Sequence, residues 1–284
     1  MSFYDIAVNT GLSRNTVSKY VKEMYAKGII VGPEIKMNPA PTYREHMYLI
    51  NVTDPLHVFD ELKEFPCVVY HALTFGDWNT MVVTNRLLDF SQLVGFHNVV
   101  TQGVKYRSCT PKVEYTSWDE SFTKVHEKIV EFTPLQNEHK HRQITPLLWG
   151  EDQWTLFHAF KYNMRKKVIP TLKKSNIRYG TYTKWMKNLD NHCTLHIGFY
   201  PQGYQNYVHY CFLLYTDHEQ SVQSVFSSFP TTPFITEVGN HVLVFTCVSS
   251  SHTTRKLFCT LYDMKTKHII KGFKYAAVLF SYHH

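Results

Sequence analysis

The sequence predicts an α+β fold built twice within one chain: a short helical motif, then strands and helices in the order β-α-β-β-α-β. Three observations carry this. Residues 6–30 show two helical stretches broken by a tight turn, and residues 43–112 switch to strand-like alternation. Residues 151–280 then run through the same series again. At 284 residues the chain is long enough for more than one ordinary core. The expected organisation is a helical motif over 1–42, a sheet domain over 43–112 and a connector with a helix over 113–150. A second helical motif follows over 151–204 and a second sheet domain over 205–284.

The first motif is IAVNTGLSRNTVSKYVKEMYAKGII. Gly11 stands just after the first helix, where the backbone turns left-handed and a Cβ is costly. Leu12 plugs the corner, and Ser13 offers its hydroxyl to an orphan N–H of the second helix. Val17, Tyr20, Val21 and Met24 recur at helical spacing as an apolar stripe. The opposite face carries Arg14, Asn15, Thr16, Ser18, Lys19 and Lys22, donors and cations that suit phosphates and base edges. This reads as a helix-turn-helix with its recognition helix over 13–26. Any amphipathic helix has a polar face; the Gly-Leu-Ser turn, and one acid (Glu23) against three bases, single this one out. Ile29-Ile30-Val31 then reads as the first strand of a wing, with Gly32-Pro33 as its exit turn. Only five residues precede Ile6. The helix that normally packs on such a motif either lies outside this sequence or is replaced by 118–132.

After a proline-rich stretch over 37–43, strands are expected at 47–52, 67–75, 78–84 and 99–109. Helices are expected at 53–64, with Pro55 at its first position, and at 87–96. That order is ferredoxin-like: four antiparallel strands with two helices on one face. A helix over 118–132 and a polar connector over 136–143, holding His139-Lys140-His141, complete the first half.

The second half replays this order. Helices are expected at 151–164, 168–175 and 179–191, with Asn176-Ile177-Arg178 as the turn and a wing at 194–200. Strands at 208–215, 233–237, 241–248 and 271–280 alternate with helices at 219–229 and 253–263. Aligned on the first motif, Asn176 falls on Gly11, Ile177 on Leu12 and Thr181 on Thr16. Lys184 falls on Lys19, Trp185 on Tyr20 and Lys187 on Lys22. Asn is second only to Gly in a left-handed position, so the exchange is physically sound.

Composition narrows the functions. A hydrophobic fraction of 44% with 15% aromatics indicates a folded chain. A net charge of +7 favours a polyanionic partner but is equally explained by solubility. The six cysteines form no C-x-x-C pair, which fits reduced thiols in the cytoplasm and neither a disulfide framework nor a metal site. No apolar run reaches membrane-spanning length, so no membrane partner is expected. P-loop, dinucleotide, nucleophile-elbow and H-E-x-x-H motifs are all absent from the sequence, and no cofactor is expected.

The first motif, together with FPCVVYHALTFGDWNTMVVTNR, resembles the Lrp/AsnC family of prokaryotic, often archaeal, transcription regulators. The resemblance spans 1–109 well and 151–280 more faintly. It implies a sequence-specific regulator that is not an enzyme and binds double-stranded DNA through Ser13, Arg14, Asn15, Thr16, Ser18, Lys19 and Lys22. In the second motif Arg178, Tyr179, Thr181, Lys184 and Lys187 either contact DNA or belong to a copy kept for packing. Family members dimerise sheet against sheet and often bind an amino acid between subunits. Here the resemblance implies a pseudo-dimer within one chain, a monomer or homodimer in solution, and a small-molecule effector near Gly76, Asp77, Trp78, Asn79, Gly239 and Asn240. Those residues read equally as turn and core positions. A subgroup of the resembling family decarboxylates siroheme with histidine and arginine on the same sheet domain, which makes His71, Arg86, Arg107 and His241 candidates for an enzymatic alternative. A protein-interaction scaffold is the third class.

Overall fold

The computed structural model describes residues 3–134 and 144–284; the polar connector expected over 136–143 lies outside them. The first motif is α1 (Phe3–Thr10) and α2 (Arg14–Ala26). Gly11 has φ +69° at the turn, and Ser13 Oγ accepts the Thr16 N–H at 3.1 Å. Val17 and Val21 are the buried residues of α2.

Strand β1 (Ile30–Met37) runs straight through Gly32-Pro33, whose peptide is cis, so the expected exit turn there is corrected. A register irregularity between Val31 and Glu34 accommodates the pair. The partner of β1 is β6 (Cys193–Phe199), with Ile35 opposite Leu195 and Met37 opposite Cys193. The two segments expected as separate wings therefore form one antiparallel ribbon.

The remaining strands close into a barrel. They are β2 (Glu45–Val52), β3 (Val68–Gly76), β4 (Thr80–Thr84), β5 (Phe96–Cys109), β7 (Val208–Tyr215), β8 (Phe234–Val238), β9 (His241–Val248) and β10 (Gly272–His283). The order around the barrel is β10-β3-β4-β2-β5-β8-β9-β7. Within it, β3-β4-β2-β5 and β8-β9-β7-β10 have the same connectivity. Two joints zip them together: β5 to β8, with Ser108 opposite Thr236, and β10 to β3, with Tyr282 opposite His71. The expectation was two sheets face to face; the observed sheets also share their edges.

Period-two alternation divides each strand between two cores. Met47 and Leu49 of β2 point into the barrel with Ala72, Trp78, Met81, Leu213, Leu243 and Ala276. Their neighbours Tyr48 and Ile50 point outward and meet Val58 of α3 (Pro55–Glu61), Leu62 and Phe90. On the second half, Phe212 and Leu214 point outward to α8 (Glu219–Phe226) and α9 (Ser251–Thr266), which contribute Val222, Phe226, Leu257 and Leu261. Helix α4 (Trp118–Val130) adds Val125 and Ile129 to this same cluster. It packs over the second half and so does not serve as the substitute helix envisaged for the first motif.

The helix expected over 87–96 is not formed; Phe90–Gln92 makes a single tight turn. The Asp89 carboxylate accepts the Ser91 N–H at 3.0 Å, and the Leu88 N–H donates to Tyr48 Oη at 2.9 Å. Gly95 at φ +77° then ends the segment. Local side-chain bonds of this kind compete with helical ones, while the apolar residues still reach the core as a loop.

In the second motif, α5 (Glu151–Phe160), α6 (Val168–Lys174) and α7 (Tyr179–Asn188) enclose Leu156, Phe157, Phe160, Leu172, Ile177, Trp185 and Leu189. Ile35 and Met37 of β1 enter the same cluster, so the first half supplies part of the second motif's core. Asn176 adopts φ +54°, the left-handed conformation that Gly11 takes in the first motif.

Candidate functional site

A cavity of about 830 Å³ lies between the β1–β6 ribbon and one end of the barrel. The ribbon contributes Glu34, Lys36 and His196, and the starts of β2 and β3 contribute Glu45, Val68 and Tyr70. Trp154, Phe157 and His158 come from α5, followed by Lys161 and Tyr162 just beyond it. The far wall holds Tyr200, Tyr204, His209 and Cys247, and the end of β10 brings Ser281, His283 and His284.

Register creates the charged centre. Glu45 of β2 stands opposite Lys105 of β5, and their side chains meet at 2.5 Å, both buried. Tyr43 Oη donates to the other carboxylate oxygen at 3.0 Å. Burial alone would raise the Glu45 carboxyl, but the Lys105 charge and hydrogen bonds from Lys105 and Tyr43 hold it below its usual value. The Tyr43 phenol is driven up by burial and by Glu45. Above this pair, Lys36 meets Glu34 at 3.1 Å.

His196 is buried beside these cations. Its Nε2 lies 2.8 Å from Thr194 Oγ1, while its Nδ1 is buried without a hydrogen-bond partner. Burial, then the charges of Lys36 and Lys105, pull its pKa down to about 3. It is therefore a neutral imidazole with one nitrogen left for a ligand. His209 Nε2 lies 3.0 Å from the Tyr204 carbonyl, and its ring is 4.2 Å from that tyrosine. Lys161 Nζ and Tyr162 Oη both donate to the main-chain oxygen of His284, each at 2.5 Å. Such a space, apolar and aromatic with a few converging cations, imidazoles and phenols, can hold a large anionic molecule, ligate a metal within it and move a proton. Among the described residues no group of three His, Cys, Asp or Glu side chains is placed to hold a metal ion by itself.

The expected site residues fall elsewhere. Arg14, Asn15, Lys19 and Lys22 are exposed on α2, with Ser13 used as the cap and Thr16 and Ser18 half-buried. On α7 and its N-cap, Arg178, Tyr179, Lys184 and Lys187 are exposed and Thr181 is half-buried. The effector candidates sit at the opposite ends of the strands whose other ends line the cavity. Trp78 is fully buried inside the barrel. Asn79 exchanges hydrogen bonds with the Val52 main chain, and Asp77 accepts the Tyr275 N–H at 2.8 Å. Gly76 is pressed against the Tyr275 carbonyl, and the Gly239 N–H, in the turn it shares with Asn240, donates to Val104. None of the six lines the cavity.

Of the residues named for the enzymatic alternative, Arg86 and Arg107 are exposed, and His241 packs its ring 4.7 Å from Tyr215. His71 is buried one layer behind the cavity wall, its Nδ1 3.1 Å from Nε2 of His284 and its Nε2 2.9 Å from the Phe59 carbonyl. Burial pulls its pKa down to about 4. The side chains that build the cavity come from stretches scattered between Val31 and His284, brought together by the β1–β6 pairing and the barrel joints. The one hint in the sequence was its density of histidine and tyrosine.

The fold and cavity define a mixed α/β protein with a sheet-rich core and a composite pocket. No protein family and no curated protein matches the chain. Among solved structures, the crystal structure of the siroheme decarboxylase NirDL is similar at a TM-score of 0.51 and 11% identity, over 98% of this chain and 85% of that one. The same enzyme in co-complex with an iron-uroporphyrin III analogue gives a TM-score of 0.43 and 10% identity, with the same coverage. The neighbour is of AsnC/Lrp-like fold, in agreement with the resemblance read from the sequence. The expectation that the chain is not an enzyme is corrected: the solved protein that shares its fold along nearly its whole length is one. Among the described residues no helix is long and apolar enough to cross a membrane.

Proposed function

We propose that this chain is a siroheme-decarboxylase-like enzyme, which binds an iron tetrapyrrole bearing several carboxylates in the cavity and removes carbon dioxide from its side chains. The observation that carries this reading is the make-up of the cavity: three lysines, five histidines and a set of tyrosines around about 830 Å³. That volume lies toward the top of the range for ligand pockets, about 300–1,000 Å³. Decarboxylation breaks the bond from the carboxylate carbon to the ring-bound methylene. Carbon dioxide leaves, and the electron pair stays on the methylene carbon, spread into the pyrrole, until a proton completes the new C–H bond. The protein has to hold the carboxylates, exclude water and deliver that proton. Lys36 and Lys161 suit the first task, and the phenols of Tyr200 and Tyr204 suit the last. His196, neutral and with Nδ1 unpartnered, suits a hydrogen bond or the iron.

The fold reading that goes with it is two winged-helix plus ferredoxin-like units joined as a pseudo-dimer. Its support is the repeated strand order and the two joints, which exchange equivalent strands as a two-fold axis would. Anaerobic incubation with siroheme should shift the Soret band and yield products lighter by one carbon dioxide per side chain. A Soret band that the protein leaves unchanged would sink the reading.

A regulator that binds DNA is the second reading, supported by the exposed Arg14, Asn15, Lys19 and Lys22 on α2. Against it, β1 is committed to β6 and is not a free wing. Affinity for duplex DNA should then fall steeply as salt rises, through counterion release, and Lys22→Ala should flatten that slope. Binding indifferent to salt rules the reading out.

A further inference from the structure

We infer that a row of tyrosine and tryptophan rings carries electrons from the surface at Tyr179 into the cavity, and that Tyr43 is the ring that hands them to an oxidised ligand. The need for such a route rests on the tetrapyrrole reading, since bound iron that meets peroxide becomes a strong oxidant. The row itself stands on geometry. Tyr43 and Trp154 line the cavity, their ring centroids 5.4 Å apart. Trp154 lies 5.3 Å from Trp149, and Trp149 lies 6.3 Å from Trp185. Trp185 lies 6.1 Å from Tyr182, and Tyr182 lies 5.9 Å from Tyr179, which is 60% exposed. No phenylalanine or aliphatic side chain interrupts the series, although Leu156, Phe157 and Phe160 pack around it. Tyrosine and tryptophan are the rings that give up an electron most readily, so each neighbour can refill the one before it.

Packing alone accounts for the rings but not for the polar groups on them. Tyr43 Oη donates to the buried Glu45 carboxylate at 3.0 Å, within reach for direct proton transfer. An oxidised phenol is a strong acid and forms easily only where a base takes its proton. Lys105, 2.5 Å from the other carboxylate oxygen, keeps that base ionised. Trp185 is the reverse case. Its Nε1 is buried with no hydrogen-bond partner, where a buried indole N–H usually finds one. With no acceptor, an oxidised Trp185 keeps its proton, and the electron vacancy moves on instead of being trapped.

Each step moves one electron. An oxidant of the high-valent iron class in the cavity gains an electron from Tyr43, whose phenolic proton passes to Glu45. Trp154 then gives one electron to Tyr43, and Glu45 returns the proton to Tyr43 Oη. Trp149, Trp185, Tyr182 and Tyr179 pass an electron inward in turn, and the half-buried Tyr182 exchanges its proton with water as it does so. Tyr179 ends one electron short, its phenolic proton lost to water, and a thiol in solution restores it with a hydrogen atom. Without this route the oxidant would draw its electrons from the cavity wall, and the damage would stay at the site.

The test has two arms, both on the full chain. In the first, His158→Cys in a Cys259→Ser background carries a ruthenium polypyridyl photo-oxidant. Position 158 is exposed, and the ring it replaces stacks on Trp154. After a flash with a soluble electron acceptor, a tryptophanyl absorption should give way to a tyrosyl one, and peptide mass should place a nitroso spin trap on Tyr179. Trp149→Phe should strip most of that adduct and leave the vacancy on Tyr43. Should it fail to fold, Tyr182→Phe, which keeps the ring, should do the same. In the second arm, iron uroporphyrin bound to the chain is oxidised with hydrogen peroxide. Its Soret band should return to the resting position several-fold more slowly in Tyr43→Phe. The inference is overturned if the labelled chain forms no radical beyond Trp154, or if the row variants leave the Tyr179 adduct undiminished or Tyr43 unoxidised. It is also overturned if Soret recovery in Tyr43→Phe matches the parent. Iron uroporphyrin that does not bind, with the first arm as expected, keeps the row and removes the tetrapyrrole reading.

Discussion

The two helix-turn-helix motifs share a turn geometry and differ in what they rest on. Helix α2 buries Val17 and Val21, begins at a serine cap and leaves its basic face in solvent. Helix α7 buries Trp185 among Phe160, Ile177 and Leu189, takes Ile35 and Met37 from the other half, and begins at Arg178 without a side-chain cap. One motif is held by local capping, the other by tertiary packing. The second also belongs to the cavity, because α5, which shares its core, supplies Trp154, Phe157 and His158 to the wall. The packing that holds the second pair of helices therefore also holds one wall of the pocket.

The sharpest way to break this comparison is to empty each core. Trp185→Ala should cost about 3–5 kcal/mol of stability. Val17→Ala should cost about 2 kcal/mol or less. Urea midpoints measure both, and equal losses would contradict the contrast in packing. A smaller effect sharpens it. Ser13→Ala should cost about 1 kcal/mol, and Arg178→Ser should gain a comparable amount by supplying the cap that α7 lacks. An Arg178→Ser protein that melts no higher than the parent would mean that the uncapped start is not what distinguishes α7.

Much of the element order was legible from the chain. The β7, β8, β9 and β10 strands and helices α4, α8 and α9 appear close to the expected spans, because period-two and period-3.6 apolar patterns each have a buried face to fill. The helix over 87–96 failed for a local reason: Asp89 bonds its own backbone at Ser91, and Gly95 ends the segment. The cavity failed for a non-local one. Glu45 and Lys105 are 60 positions apart and meet only through strand register, and His196 joins them only because β6 pairs with β1. No periodicity announces such a pairing. The turns at Gly76 and Gly239 drew attention as glycines, yet at the other end of the barrel Gly76 admits the close approach of the Tyr275 carbonyl and Gly239 takes a left-handed φ of +58°.

The joint between β10 and β3 has a consequence for how the protein comes to exist. His71 and His284, in contact in the finished fold, are 213 positions apart in the chain. Strand β3 therefore leaves the ribosome long before β10, and its outer edge has no partner for most of synthesis. Contacts of such sequence separation form late, since the chain must close a very long loop before they contribute. Until then β3, with Val68, Ala72 and Leu73 buried in the final structure, presents an unpaired row of amides and carbonyls to any other nascent strand. The closed barrel has no such edge. The vulnerable period is the one before the last strand arrives, and expression at low temperature or with a holdase present should raise the soluble yield more than any stabilising change to the folded core.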